Sequence, residues 1–422
     1  MHKVLKVRKK EKKIDSIFFI IFLCFYFTVG TSLSLPKGEV LRWIGCFILG
    51  IIGLMPMIKE KNELKIWPSY YNFLIFPTII SLCINPQVFF TGFFRFGSFI
   101  LFITSLFLYY YRKKVNCEYI KKDFKKFSVI VIFLILVQFV MFIFNLSELG
   151  KFHGMYGNKN YLATISSVSL ICLIWMFINS KKSKFFIIIL FVSNITVSIA
   201  TGSRTAIVCL GIILFSLPFI IFKQNNIGNK IKALLIELAL LILIFFLCKH
   251  IEIPALKRLL DSQAGNAATG FSRDIVWEQA FIFFKQKPLL GWGNSASYYN
   301  IYKLNKGLIW GFHNSYLVIL IENGICGTIF YILFFLCGFY INSIKYKKAK
   351  LNSTDNKFVK ILFLICLVLL INAISESFLF AVGNPMSVCF WLPFIMLDRF
   401  LDIKLNSTEE VCEINKEIQI YT

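Results

Sequence analysis

The amino-acid sequence predicts an all-α polytopic membrane protein, and three observations carry that prediction. The chain of 422 residues is 57% hydrophobic and holds 48 Phe, with a mean hydropathy of +0.71. That is more apolar surface than a soluble core can hide. The apolar residues fall into runs close to the length of about 20 residues that crosses a bilayer. The gaps between runs alternate between segments rich in Lys or Arg and segments poor in them, as the positive-inside rule of membrane topology requires. A net charge of +24 would point to nucleic acid in a soluble protein. Here the basic residues sit in short gaps, where they set topology, so no nucleic-acid partner is expected.

The runs are 15–35, 40–58, 69–86, 88–111, 127–146, 161–179, 184–200, 204–222, 231–248, 314–343, 358–379 and 386–400, which makes about twelve spans at roughly 20 residues each. The gaps 1–15, 59–65, 112–126, 181–184, 223–232 and 345–357 are rich in Lys or Arg. Those around 35–39, 86, 145–160, 201–204 and 381–385 are short or poor in them. One alternation fits the whole chain and places both termini in the cytoplasm. The basic start runs into an apolar segment without a small-residue cleavage site, so a retained first helix is expected rather than a signal peptide. The chain then divides into membrane helices over 1–248, an extracytoplasmic loop over 249–313, membrane helices over 314–400 and a loose cytoplasmic tail over 401–422.

The large loop lies between the ninth and tenth spans and contains one readable helix. Ser272 is a candidate N-cap, Asp274 suits the first turn, and Trp277, Ala280, Phe281 and Phe284 form an apolar stripe at helical spacing. Pro288 and the glycines of Gly291-Trp292-Gly293 end it in a turn. Ten of the twelve Cys lie within apolar runs, and there is no CxxC. They read as small hydrophobic residues, with neither a disulfide framework nor a zinc site.

An ionisable side chain inside a membrane is costly and is a candidate for function by default. Arg42 and Arg95 sit near the outer ends of the second and fourth spans, and Arg204 opens the eighth. Glu322 lies about two turns into the tenth span, and Glu376 near the outer end of the eleventh. Any one of these could be a structural ion pair. Their shared depth predicts a polar cavity open to the outside, which Glu237 and Asp398 do not join.

Three outer loops add to this. The segment His153-Gly154-Met155-Tyr156-Gly157-Asn158-Lys159-Asn160 precedes the sixth span. Thr201-Gly202-Ser203-Arg204-Thr205-Ala206 is a tight turn presenting Arg204 at a helix N-terminus, a geometry that suits an oxyanion. Gly311-Phe312-His313-Asn314-Ser315-Tyr316 puts His313 at the start of the tenth span. Each loop alone is weak, since glycines make turns and Asn or Ser often only caps a helix. At about 100° per residue, Gly324 and Gly327 fall near the face of His313 and would admit a neighbouring helix. Glu322 falls on the other side, where it would brace another helix rather than pair with His313. No HExxH, Walker-type loop or paired-Asp motif appears, so no metal and no cofactor is expected. A diphosphate at this site would have to be neutralised by Arg and Lys.

These pieces together resemble the superfamily of O-antigen ligases and polysaccharide (O-antigen, capsule) polymerases, bacterial membrane glycosyltransferases. The resemblance rests on 153–163, on 201–206, and on Arg273-Asp274-x-x-Trp277 leading to Pro288-x-x-Gly291-x-Gly293. It also rests on His313-Asn314-x-Tyr316-Leu317 with Glu322-x-Gly324-x-x-Gly327. It implies a GT-C-like fold and a glycan donor linked to undecaprenyl diphosphate. Transfer would go to a sugar hydroxyl at the outer face of the bacterial inner membrane, without a metal and with inversion. Carried over, Arg204 and Arg273 would clamp the diphosphate, and His313 would accept the proton of the acceptor hydroxyl. Lys159, Asn160 and Asn314 would be supporting contacts. Arg42, Arg95 and Glu376 come from the membrane-charge argument alone. A flippase and a chain-length regulator are the partners that the family implies.

The first expectation within the superfamily is a repeat-unit polymerase; the alternative is an O-antigen ligase acting on lipid A-core. A rival of another class is a flippase for lipid-linked oligosaccharides or another transporter. Carriers often place two repeats about a central inner loop with binding groups at the midplane. This chain has its long loop outside and off-centre, shows no repeat, and gathers its polar groups near the outer face.

Overall fold

In the computed structural model, residues 15–27, 38–60, 68–84, 89–112, 115–145, 152–156, 158–180, 184–222, 227–235, 273–296, 312–381 and 384–421 are described. Within these, the side chains at 38–40, 42, 43, 56–60, 89–91, 273–275 and 408–421 are not. The described residues form helices and no strand. In chain order they are α1 (Asp15–Phe27), α2 (Gly38–Glu60), α3 (Asn72–Ile84), α4 (Phe89–Tyr110), α5 (Cys117–Asn145), α6 (Lys159–Asn179), α7 (Lys184–Ala200), α8 (Arg204–Ile221), α9 (Arg273–Gln286), α10 (Ser315–Lys348), α11 (Ser353–Asn372) and α12 (Pro385–Tyr421). Among the described residues, five helices are long and apolar enough to cross a membrane: α4 from Gly92, α5 to Phe144, α6, α8 and α10. Four further apolar helices are shorter. Each expected span except the ninth overlaps a described helix, with α11 ending at Asn372, short of the expected 379, and the first described only to Phe27; the ninth, beyond residue 235, lies outside the described residues.

Two helices form the axis of the bundle. In α6 every residue from Leu162 to Trp175 is buried, and in α12 the run 386–401 is buried throughout. A helix apolar on all sides belongs inside such a bundle. The few polar residues of α6 pair across the helix contacts. Ser166 Oγ meets Asn194 Oδ1 and Ser198 Oγ of α7, both at 2.5 Å, and Thr164 Oγ1 donates to Asn372 Oδ1 of α11 at 3.1 Å. Around this axis the outer helices expose Phe94, Phe144, Phe185, Phe186 and Phe215, faces suited to lipid rather than water.

The Lys-rich end, read from the sequence as cytoplasmic, is tied by ion pairs. Asp355 at the start of α11 meets Lys121 of α5 at 2.6 Å and Lys404 of α12 at 2.7 Å. Lys345 bridges Asp398 and Asp402, and Arg112 meets Asp15 at 3.0 Å. Asp398 thus belongs to this end, as expected from its position. α12 continues past the expected end of the span at 400, to Tyr421. Lys404, beyond that boundary, faces Asp355.

The loop helix α9 buries Val276, Ala280 and Phe283 with Trp277 and Phe284 beside them, packed on Phe312, Leu317 and Ile321. The expected stripe is correct except for Phe281, which is exposed; Phe283 takes its place, one turn on from Ala280. Ser272 lies outside the described residues.

Candidate active site

α10 starts at Ser315 because Asn314 caps it. The Asn314 side-chain oxygen accepts from the backbone N–H groups of Tyr316 (2.9 Å) and Leu317 (3.1 Å), two donors that no turn of helix satisfies. Its own N–H donates to Ser377 Oγ at 2.9 Å. The side-chain oxygen of Asn314 is therefore committed to the cap. His313, just before it, has φ +48°, the left-handed region that costs a side-chain-bearing residue about 1–2 kcal/mol. The flanking chain holds it there. Phe312 is wholly buried and its carbonyl accepts from Trp277 Nε1 of α9 at 3.1 Å. Ser315 N–H donates to the Ala373 carbonyl (2.9 Å), and Ser315 Oγ donates to the Glu376 carbonyl (2.8 Å). Strain held by its surroundings in this way is a mark of functional positions.

The His313 side chain is 43% exposed, and its Nδ1 lies 3.6 Å from Glu376 Oε2, whose side chain is 2% exposed. That distance is too long for a hydrogen bond but close enough for charge to act directly. The other carboxylate oxygen, Oε1, accepts from Asn160 Nδ2 at 2.6 Å. Asn160 Oδ1 in turn accepts from Ser203 Oγ at 3.1 Å. Ser203 precedes Arg204 as the N-cap residue of α8, and its side chain makes no cap hydrogen bond. A line of side chains thus runs Ser203–Asn160–Glu376–His313, joining the N-termini of α8, α6 and α10 to the segment after α11. Two further contacts close the group. Phe152 N–H donates to the Ala200 carbonyl (3.3 Å), and Thr205 Oγ1 lies 3.0 Å from Ser375 Oγ.

The three loops singled out in the sequence therefore meet at one end of the bundle, together with a fourth segment, 373–381. Arg204 is exposed there at the first residue of α8, where free backbone N–H groups favour an anion. Lys159 opens α6 one residue before Asn160. Arg273 is the first residue of α9; its side chain, like that of Arg42, lies outside the described side chains. The pairing of Glu376 with His313 and the bond from Trp277 are not legible in the sequence. The only signal for either was the depth of Glu376 in its span and the place of Trp277 on the stripe of α9.

Arg95 and Glu322 form a second polar feature. Arg95 Nη1 of α4 and Glu322 Oε1 of α10 are 2.8 Å apart, so Glu322 braces another helix as expected and is not a partner of His313. They line a cavity of about 40 Å³ with Thr78, Asn294, Ser315 and Ser377, room for about one water. This cavity lies behind the His313 loop, since Ser315 and Ser377 belong to both.

The expected role of Gly324 needs correction. It does not sit on a regular helix: its φ is +62° and ψ −169°, and α10 is broken there. What enters the break is the turn after α9, not a neighbouring helix. Trp292 and Gly293 donate their N–H groups to the carbonyls of Ile321 and Glu322, both at 2.9 Å. Ile325 and Cys326 donate to the carbonyls of Pro288 (2.8 Å) and Leu289 (3.1 Å). Four backbone groups released by the break are thereby satisfied, which a lipid-buried chain requires. Gly327 does admit a helix, with Pro77 of α3 against it.

The Wzy_C family model, described as O-antigen ligase, matches residues 189–332, about a third of the chain that takes in Arg204, Arg273, His313 and Glu322. A relative is the ComP-specific O-oligosaccharyltransferase of Acinetobacter baylyi, 25% identical over 381 residues. The match covers 82% of this chain and 66% of the relative, so the chain spans just under two thirds of that protein's length. On both comparisons this chain is similar to the O-antigen ligase superfamily, the resemblance that its motifs imply.

Proposed function

We propose that this protein is a membrane glycosyltransferase that moves a glycan from undecaprenyl diphosphate to a hydroxyl group at the outer face of the inner membrane. The observation that carries the reading is His313 held 3.6 Å from buried Glu376, whose carboxylate is hydrogen-bonded through Asn160 to Ser203, the residue before Arg204. In the reaction the acceptor oxygen attacks the anomeric carbon while the bond from that carbon to the donor phosphate oxygen breaks. The electron pair leaves with the diphosphate, and the hydroxyl proton passes to His313. Nδ1 faces Glu376, so Nε2 is the nitrogen that takes the proton, and the carboxylate steadies the imidazolium that results. Arg204 and Arg273 balance the charge that grows on the diphosphate, where fixed donors act most strongly. The protons and charges of this scheme are carried by side chains, with no metal. The helices form a GT-C-like bundle with about twelve spans and both termini in the cytoplasm.

Glu376→Gln keeps the shape of the side chain and removes its charge. Transfer is expected to fall on the order of tenfold, about 1.4 kcal/mol in the barrier, with KM for the donor unchanged. An unchanged rate in this variant would remove Glu376 from the mechanism.

The acceptor is first read as the next lipid-linked repeat unit, making the protein a polymerase that works beside a flippase and a chain-length regulator. Lipid A-core is the second reading, that of a ligase. The O-oligosaccharyltransferase named above supports a third, a hydroxyl on a protein. Purified protein with lipid-linked repeat units and each acceptor in turn separates them. A ladder with repeat units alone is the expected result. Transfer only to lipid A-core or only to a protein would make it a ligase or a protein glycosyltransferase. Absence of transfer to all three by folded protein would overturn the enzyme reading in favour of transport.

A further inference from the structure

We infer that the Lys-rich end of the bundle carries a binding site for an anionic glycerophospholipid, separate from the glycan site. An open groove of about 710 Å³ runs along the outside of the bundle between α8, α10 and α11. Its walls are apolar, with Phe215, Phe219, Phe339, Phe363 and Leu367 among the lining residues, and Phe215, Phe219 and Leu367 stand exposed. One end is different. Lys360 Nζ donates to the Phe219 carbonyl at 2.7 Å, in the last turn of α8. Lys230 Nζ lies 5.9 Å from the centre of the Phe219 ring. Lys230 and Lys357, which precedes Lys360 by one turn of α11, are both close enough to repel its charge.

This concentration of like charge contrasts with the other lysines of the same end. Lys121, Lys126, Lys345 and Lys404 each meet a carboxylate at 2.5–3.1 Å. Among the described residues, Lys360 meets a backbone carbonyl and two further cations instead. A basic pocket between membrane helices on the cytoplasmic side is the kind of site that takes an anionic lipid head group. The length of the groove fits such a lipid. Along α11 its lining runs from Lys360 to Leu370, about 15 Å at 1.5 Å per residue. That is half of a hydrocarbon core of about 30 Å, the depth of one leaflet. A phosphodiester at Lys357 and Lys360 would lay an acyl chain along the aromatic wall and relieve the repulsion between these two amines. The polyprenyl donor is a poor fit, because its diphosphate is read at the opposite end, beside Arg204.

The test uses the full-length protein in detergent, incubated with phosphatidylglycerol and phosphatidylcholine in equal amounts, with native mass spectrometry counting the lipids retained. The wild type is expected to retain phosphatidylglycerol at least about tenfold over phosphatidylcholine, since basic residues at a membrane surface favour anionic lipid. Lys357→Gln with Lys360→Gln is expected to bring the ratio near unity while glycan transfer persists, since neither residue belongs to the site around His313. Lys357→Arg with Lys360→Arg should keep the preference. Leu367→Trp, which fills the groove and leaves the lysines in place, should lower retention of phosphatidylglycerol at least severalfold and serves independently if the Gln variant does not fold. Equal retention of the two lipids by the wild type would overturn the inference. So would a phosphatidylglycerol preference that survives both the Gln and the Trp substitutions.

Discussion

Replacing His313 by Ala is expected to lower glycan transfer by roughly 100- to 10,000-fold, the span that a positioned general base supplies. In the barrier this is about 2.7–5.5 kcal/mol. The fold should survive, because the imidazole is 43% exposed and packs in no core cluster. The loop is anchored by its neighbours instead, through the Asn314 cap, the two bonds of Ser315 and the buried ring of Phe312. The check is a transfer assay beside thermal unfolding monitored by circular dichroism. A large loss of rate at unchanged stability fits the account. A variant with an unchanged rate would remove His313 from the chemistry, and one that unfolds would make it a structural residue.

Gly324→Ala is expected to have the largest effect on stability, a loss of more than about 3 kcal/mol. A side chain at φ +62° and ψ −169° lies in a region that is essentially glycine's alone and costs about 1–3 kcal/mol. The added Cβ would also meet the carbonyl of Leu289, so the Pro288–Gly293 turn must move away from α10. Its four backbone hydrogen bonds go with it, each worth about 0.5–1.5 kcal/mol net, and more where water cannot replace them. Gly291, at φ +73° on the other side of the contact, has no more room. The same turn joins α9 to α10, so its displacement also loosens Trp277 from the Phe312 carbonyl and with it the backbone before His313. Thermal unfolding of the purified variant reads the stability directly. A melting curve like that of the wild type would show that the turn does not fill the break.

The sequence made the helices legible because the apolar runs are long and the lysines alternate, two signals that depend on composition rather than on contacts. It also placed Arg204 and His313 at helix starts, since turns and caps are written in Gly, Asn and Ser. What it could not supply is which loop meets which. Asn160 and Glu376 are 216 residues apart, and no spacing rule links them. The helical wheel drawn through Gly324 failed for a related reason. It assumes continuous hydrogen bonding, whereas here a distant turn supplies the partners. The pair Lys404–Asp355 is again a contact hidden from local reading.

The central claim is a single displacement at the anomeric carbon with His313 as the base. The most direct test is the configuration of the new glycosidic bond, read by NMR on product made by the purified protein in the presence of a chelator. The account predicts inversion relative to the donor's linkage to diphosphate, with undecaprenyl diphosphate released in equal amount. A product with retained configuration, or a reaction that stops until a divalent metal is restored, would contradict it.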